Sequence, residues 1–447
     1  MTSLEAKINA AGGAVNMMRN ARGGGFPFPI RSEYTNWRDE QESWRKTAVL
    51  FDQSHHMTEL RVKGKDAYRL VSDIGVNTFK GFGPMKAKQL VAVNHYGNMI
   101  GDAILFCLGE NHINIVGRPP VLNWAEFNAK TGGYDVTLER DERTVQNKTG
   151  RDFYRFQIQG PTAGHIFEKV NGGPLDDIPF FGMGRFKIGK HVSTALNHRM
   201  SGFPGLEFWG PMSEHDSVLE TLLEAGAEFG LTQAGSRTYS SVATESGWIA
   251  STMPAVYTGD KMKPYREWQK GASFEGFLGL GGSFASDNIE DYYHTPWDLG
   301  YGHIIKHDHD FIGADALKER AGEKHRKKVW LYWERDDVAK IFASMYEQGD
   351  KRFKYIDTPS AFYSQLPFDR VETDEGKMIG VSTLSIYSSN VRGWISICTL
   401  DEDEIEHGKE VNLIWGEAKG YTKNILVEEH TQTTIRAKIG PRPFSQK

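Results

Sequence analysis

The hydrophobic pattern of this 447-residue chain changes once, near residue 320, and that change limits the folds open to it. Before it, half-buried strand patterns such as Glu59–Val62 are mixed with helical patterns such as Val218–Phe229, and long strand–helix–strand units are few. After it, short strand patterns follow one another with turn residues between them. We therefore predict an α+β fold, with an α+β region over residues 1–320 and a β-barrel or sandwich over residues 321–447.

Residue spacing and turn signals predict individual helices and strands. A helix is expected to begin near Asn36, and Gly230 is a suitable C-cap for the helix over Val218–Phe229. The basic stretch Arg320–Lys328 is expected to be helical. Further strands are expected over Gln89–Val93, Ala103–Leu108, Phe153–Gln159, Val329–Trp333, Gly380–Ser385, Ser396–Leu400, Val411–Trp415 and Thr433–Ile439.

Composition excludes several classes of function. The two cysteines, Cys107 and Cys398, cannot form a disulfide framework, a four-cysteine metal site or a Rieske cluster, and their number suits a reducing compartment. A net charge of -5 argues against a nucleic-acid partner. Neither a spanning apolar segment nor a secretory signal is evident. We expect a cytoplasmic protein that acts on a small molecule; no oligomeric state is predicted.

Two polar clusters follow strand-like runs in the first part of the chain. Phe51–Met57 contains the adjacent imidazoles His55 and His56, and Tyr96–Asp102 leaves the carboxylate Asp102 beside small residues that let backbones approach. The histidines suit acid–base chemistry or substrate binding, but a turn whose polar side chains satisfy backbone groups also explains them. For Asp102 the alternative to catalysis is a capping role.

Three further clusters contain candidate binding groups. Arg118 follows the apolar strand Ile113–Val116 and suits planar recognition of a carboxylate, although an internal salt bridge is the alternative. Glu207 lies inside an apolar strand, where an ionised carboxylate needs hydrogen-bond donors. Arg237–Tyr239 and the following Glu245–Trp248 form the last cluster.

Three other stretches attract attention without carrying a function. His307–Asp310 has the composition of a metal site, but such alternation is more typical of a solvated strand end or turn, and no metal is expected. Gly276–Gly282 is glycine-rich without the Gly-Lys-Ser/Thr of a phosphate loop. Asp141–Lys148 is interpreted as a mixed-charge loop that needs no function.

Taken in order, these clusters resemble the glycine-cleavage T-protein (aminomethyltransferase) family of folate-dependent one-carbon enzymes. The resemblance covers about residues 30–440. It is carried by Leu50–His55, Gly97–Asp102, Phe156–Pro161, Pro204–Glu207, Glu245–Gly247, Phe311–Leu317 and Lys377–Gly380. It implies a three-domain aminomethyltransferase-like fold, in which two interleaved α+β domains surround a folate channel and a C-terminal β-barrel follows.

Within that family the chain resembles the tetrahydrofolate-dependent aryl O-demethylases that act on vanillate and syringate. The residues concerned are Asn36–Arg38, His55–His56, Gly117–Arg118, Met200–Glu207, Ala255–Asp260 and Asn288–Tyr293. The resemblance implies transfer of a methoxy methyl group to N5 of tetrahydrofolate, in the breakdown of lignin-derived aromatic acids. The alternatives are an aminomethyltransferase, another folate-dependent demethylase, and a non-catalytic folate-binding relative.

Roles for single residues follow from this chemistry. Tyr239 is predicted to act as acid toward the leaving oxygen, with His56 holding the substrate oxygens and Asp102 stabilising the charge that develops on N5. Glu207 is predicted to bind the pterin, and Trp248 to pack on its rings. The remaining predicted substrate ligands are Arg118 for the carboxylate, Gln53 for the oxygens, and Phe28, whose lack of a hydroxyl favours syringate.

Overall fold

The computed structural model describes residues 2–22, 29–250, 252–348, 352–418 and 421–444. Its helices are α1 (Leu4–Ala10), α2 (Ala14–Arg19), α3 (Trp37–Lys46), α4 (Ala67–Ile74), α5 (Pro119–Thr131), α6 (Ala163–Asn171), α7 (His215–Gly226), α8 (Ser236–Ser246), α9 (Lys263–Trp268), α10 (Phe274–Phe277), α11 (Ala314–Arg320) and α12 (Arg335–Ser344).

The strands are β1 (Ala48–Asp52), β2 (Thr58–Lys63), β3 (Lys86–Val93), β4 (Met99–Gly109), β5 (His112–Gly117), β6 (Thr137–Asp141), β7 (Phe153–Gln159), β8 (Met183–Ile188), β9 (His191–Leu196), β10 (Gly205–Pro211), β11 (Leu231–Gln233), β12 (Leu280–Gly281), β13 (Arg326–Trp333), β14 (Leu366–Pro367), β15 (Asp369–Glu372), β16 (Met378–Ser388), β17 (Gly393–Asp401), β18 (Glu410–Trp415) and β19 (Thr433–Gly440).

Two sheets are interleaved along the first part of the chain. The first has the order β11-β1-β7-β10-β9-β8, and the second has the order β3-β4-β5-β2-β6. All strands of the second sheet lie in the chain between β1 and β7, which are neighbours in the first. The predicted pair of interleaved α+β units is therefore present.

Each sheet buries one apolar face under helices. In the first sheet, Phe156 and Phe208 are fully buried in one hydrophobic cluster with residues of α6 and α7. In the second, Leu105 and Ile115 are buried against helices that include α4 and α5. Burying one large apolar side chain contributes about 2 kcal/mol, so these faces fix how each sheet is covered.

The C-terminal strands close into the predicted barrel. Its order is β13-β17-β16-β15-β18-β19, and β13 pairs with both β17 and β19 to complete the ring. Short strand patterns separated by turn residues made these strands predictable, and the structure shows buried positions alternating along β18 and β19. The boundary predicted near residue 320 falls at the end of α11, and the division into domains stays a prediction.

The expectation of a helix over Arg320–Lys328 is wrong. Helix α11 ends at Arg320, and strand β13 begins at Arg326. Lysine and arginine favour helices only weakly, and here the pairing of Arg326 with Asp401 and of Lys328 with Thr399 on β17 outweighs that preference.

Two other expectations concern segment ends and membranes. Asn36 caps α3 by accepting a hydrogen bond from the backbone of Asp39 at 3.1 Å, and Gly230 ends the turn after α7 with φ +72°. Within the described ranges, none of the helices is long and apolar enough to cross a membrane.

Candidate active site

Two cavities meet where the first sheet, the second sheet and the barrel come together. The carboxylate cavity has a volume of about 290 Å³ and is lined by Asp102 and Glu207. The arginine cavity has a volume of about 410 Å³ and is lined by Arg118, Arg143 and Arg237. The two share a wall made of Met57, Met200, Tyr239 and Trp248.

Asp102 is held at the carboxylate cavity by the path of β4. The preceding Gly101 has φ +151°, and a Cβ there would lie 2.9 Å from Val121, so only glycine allows this approach of strand and helix. The Oδ2 atom of Asp102 accepts hydrogen bonds from Gln89 at 2.9 Å, Trp248 at 3.0 Å and Tyr301 at 3.0 Å. Burial raises the pKa of Asp102, and these three donors act against that rise.

Glu207 lies on β10, next to β7, and a neighbouring guanidinium supplies the donors that its burial requires. Arg155 donates to Glu207 Oε1 at 2.6 Å and, from its other terminal nitrogen, to Glu59 at 3.0 Å. Burial alone would lower the pKa of Arg155, but Glu59 and Glu207 hold it above its usual value. The second oxygen of Glu207 lies 3.8 Å from His198, so the carboxylate is fixed in orientation at the cavity wall.

The barrel contributes a cation to the same cavity. Lys328 lies on β13 and donates from Nζ to the carbonyl oxygen of Gly247 at 2.7 Å. Burial lowers its pKa to about 8, while the charge of Asp102 acts in the opposite direction. The carboxylate cavity is therefore built from both parts of the chain.

Tyr239 and His56 form a hydrogen-bonded pair at the shared wall. Their Oη and Nε2 atoms are 2.9 Å apart, and the two rings meet edge to face. Burial lowers the pKa of His56 to about 3, so its imidazole is neutral at neutral pH. Burial, reinforced by Glu207, raises the pKa of Tyr239, and a hydrogen bond with Gln53 opposes this rise. The phenol therefore stays protonated.

Arg118 directly precedes α5 and reaches the arginine cavity. Its position is set by Pro119 and Pro120, which begin the helix, and its guanidinium donates to the carbonyl oxygen of Ala250. The guanidinium carbon lies 5.2 Å from the centre of the Phe274 ring. Burial lowers the pKa of Arg118 to about 10, and the charge of Arg143 adds to this shift.

His55 has different surroundings from His56. Together with Asp52 and His215 it forms a group of potential metal ligands, in which Asp52 Oδ2 lies 3.5 Å from His55 and 3.2 Å from His215. His55 also contacts the hydroxyl of Thr144 at 2.9 Å. These contacts explain His55 as a support for the turn that carries His56. His309, by contrast, contacts the carbonyl oxygens of Ser72 and Gly75, as expected for a turn.

The structure brings most of the predicted residues together. Tyr239, His56 and Arg118 line the arginine cavity, and Gln53 lines the carboxylate cavity with Asp102 and Glu207. Trp248 lines both, and its indole N–H donates to Asp102, a contact that the sequence did not suggest. Phe28, within Gly23–Phe28, lies outside the described residues.

Several lining residues were missed. Arg143 lies in the loop interpreted as needing no function, yet it is only 5% exposed, and Lys328 lies in the stretch expected to be helical. Tyr301 and Arg155 had no motif to mark them. A charged residue inside the apolar strand Phe153–Gln159 was the available signal for Arg155, by the same argument that singled out Glu207.

Fold and site together define the class of protein. The chain has the fold of the glycine cleavage system aminomethyltransferase T from Bartonella henselae, with a TM-score of 0.62 at 17% identity over 96% of this chain and 95% of that one. Residues 7–253 match the GCVT N-terminal domain. The chain belongs to this glycine-cleavage T-protein family, as the sequence motifs indicated.

Two curated relatives are also similar. The syringate O-demethylase of Sphingobium sp. (strain NBRC 103272 / SYK-6) is 44% identical over 445 residues, which cover 99% of this chain and 96% of the relative. The sesamin methylene transferase of Sinomonas sp. (strain No.22) is 27% identical over 82% of this chain and 81% of the relative.

Proposed function

We propose that this protein is a tetrahydrofolate-dependent aryl O-demethylase that moves the methoxy methyl group of syringate or vanillate to N5 of tetrahydrofolate, giving a phenol and 5-methyltetrahydrofolate. The enzyme class and the tetrahydrofolate acceptor rest on the family and on the 44%-identical relative. The proposed substrate is supported by the arginine cavity, which adjoins the carboxylate cavity across Tyr239.

The carboxylate cavity suits the pterin end of a folate. Glu207 is fixed in orientation by Arg155, and a carboxylate can accept the paired N–H groups of a pterin edge. Asp102 supplies a second carboxylate, held by three donors, where positive charge could be stabilised. Tetrahydrofolate would supply the nucleophilic nitrogen and take up the methyl group.

The arginine cavity suits a benzoate. Its walls combine Arg118, for a carboxylate, with the apolar side chains of Val242 and Phe362. His56 and Tyr239 lie on the side nearest the carboxylate cavity, where the ether oxygen must be if methyl transfer is to be in line. We assign the ring of the substrate to this cavity.

The leaving oxygen needs a proton or a strong hydrogen bond as the carbon–oxygen bond breaks. Tyr239 is protonated and hydrogen-bonded to a neutral imidazole. We assign the Nε2–H tautomer to His56, which then donates to the Tyr239 oxygen and leaves the phenol hydrogen for the substrate. Gln53, predicted as a substrate ligand, bonds with Tyr239 and is assigned to positioning it.

The test is anaerobic incubation of the protein with tetrahydrofolate and a panel of methoxybenzoates, followed by measurement of 5-methyltetrahydrofolate and phenol. We expect the two products in equal amounts from syringate or vanillate, without dioxygen. Failure of every methoxybenzoate, or a requirement for dioxygen, would contradict the proposal. A cytoplasmic location and a role in the breakdown of lignin-derived acids stay predictions.

A further inference from the structure

A carboxylate and two imidazoles meet where β1 ends and α7 begins. Asp52 is the last residue of β1, His55 lies in the turn that follows, and His215 is the first residue of α7. Alternation along β1 places Asp52 on the same face as Leu50, which packs in one cluster with residues of α7. Asp52 and His215 are 163 positions apart in the chain, so only the fold brings these donors together.

The spacing of the donor atoms is that of a tetrahedral metal site. Asp52 Oδ2 lies 3.5 Å from His55 Nε2 and 3.2 Å from His215 Nε2, and one donor atom from each of the three residues lies within 4.8 Å of the others. Ligands that are about 2.0–2.2 Å from a tetrahedral zinc ion are about 3.4 Å from one another. Two separations therefore match a zinc site, and rotation of an imidazole side chain can supply the third.

The contacts of His215 leave its Nε2 atom facing Asp52 as an acceptor. Its Nδ1 atom lies 2.7 Å from Asp216 Oδ1, and because a carboxylate only accepts, Nδ1 carries the hydrogen. In the neutral imidazole, Nε2 then turns a lone pair toward Asp52 Oδ2 at 3.2 Å, and two acceptors in contact need a proton or a metal ion between them. A histidine that binds a metal usually donates from its other nitrogen in this way.

The other two donors are also oriented by neighbouring groups. His55 Nδ1 lies 2.9 Å from the hydroxyl oxygen of Thr144, and its Nε2 is directed at Asp52. Asp52 Oδ1 accepts a hydrogen bond from the backbone N–H of Ser54 at 2.9 Å, which turns Oδ2 toward both imidazoles. The side chain of His55 is 16% exposed, so an ion has a path from solvent to these atoms.

We propose that Asp52, His55 and His215 bind one zinc ion, with water as the fourth ligand. Imidazole and carboxylate donors in this arrangement suit zinc. Among the described residues that line the two cavities, none belongs to this group, so the ion does not touch the substrate or the folate. It ties the turn that carries Gln53 and His56 to α7. The proposal is therefore independent of the proposed function.

The experiment uses the purified 447-residue chain without an affinity tag, freed of metal by dialysis against a chelator. Titration with zinc chloride in competition with a chromophoric chelator measures affinity, and we expect one zinc ion per chain. His55→Gln and His215→Gln each remove one ligand and should weaken zinc binding by at least about 100-fold. Cobalt(II) used in place of zinc should give the visible absorption of a tetrahedral site in wild type and not in these two variants.

His307→Gln is the matched control, because His307 is exposed and belongs to the other stretch with the composition of a metal site. This variant should bind zinc as wild type does. Asp216→Asn removes only a fully exposed carboxylate that orients His215, and we expect it to bind zinc about 10-fold more weakly.

Zinc should also raise the melting temperature of wild type by about 2–5 °C and leave that of His215→Gln unchanged, because the ion binds only the folded chain. Equal zinc affinity in wild type and either variant of the two histidine ligands, or no zinc binding by wild type, would overturn the proposal. If those variants do not fold, an unchanged affinity in Asp216→Asn overturns it. Zinc binding without methyl transfer, or methyl transfer without zinc binding, shows which of the two proposals fails.

Discussion

The two cavities differ in the buried charged side chains that line them. In the carboxylate cavity, Glu207 is matched by Arg155, which is matched in turn by Glu59. In the arginine cavity, Arg118 and Arg143 line a common space, where the charge of Arg143 lowers the pKa of Arg118 and that of Asp102 acts in the opposite direction. The proposed function fits this difference, because a carboxylate can accept the N–H groups of a pterin edge and guanidinium groups suit the carboxylate of a benzoate. We therefore expect substitutions in the two cavities to affect different ligands.

The largest effect is expected at the wall that the cavities share. Tyr239→Phe keeps the ring and removes the proton donor, so we expect turnover to fall by about 10²- to 10⁴-fold with KM for both ligands nearly unchanged. Steady-state kinetics on purified protein measure this. Tyr332→Phe, on barrel strand β13 and not among the residues that line either cavity, is the control. Unchanged turnover in Tyr239→Phe would remove this residue as the acid.

The next effect tests the arginine cavity alone. Arg118→Ala removes one of the guanidinium groups that line this cavity, and we expect KM for a methoxybenzoate to rise by about 100-fold while KM for tetrahydrofolate stays within about twofold of wild type. Initial rates with each ligand varied in turn give both values. Equal losses for the two ligands would place Arg118 at the junction of the cavities instead.

A third substitution, at Glu207, tests the carboxylate cavity. Glu207→Gln retains the shape and leaves Arg155 paired with Glu59, so we expect KM for tetrahydrofolate to rise by about 10- to 50-fold with the benzoate unaffected. The thermal melting temperature of Glu207→Gln checks that the variant is still stably folded. If folate affinity does not change, Glu207 does not bind the pterin.

The smallest effect concerns pH. Asp102 must be ionised to stabilise positive charge, and burial raises its pKa, so kcat/KM should fall as pH drops through that raised pKa. Gln89→Met removes a donor that favours the ionised form and should move this acid limb to higher pH by less than about one unit. If the acid limb of the kcat/KM profile stays in place or moves to lower pH in Gln89→Met, a group other than Asp102 controls that limb.

Some site residues could be predicted from their neighbours in the sequence, whereas others join the site only through contacts in the folded chain. Residues within motifs, such as Asp102, Glu207 and Tyr239, were found because their neighbours along the chain marked them. Arg143 and Lys328 were missed because each lies in a stretch whose local composition suggests a solvated loop or a helix. Only contacts with distant parts of the chain make either residue part of a cavity, and periodicity carries no information about such contacts.

The sequence by itself determined the α+β class, the strands of the barrel and the family, since alternation and ordered motifs are local properties. Tertiary structure alone decided that Trp248 donates to Asp102, that the barrel brings Lys328 to the carboxylate cavity, and that two arginines share one ring. The physical reason is that burial and Coulomb interaction depend on distance in space, and β13, β4 and the loop after β6 approach one another only when the chain is folded.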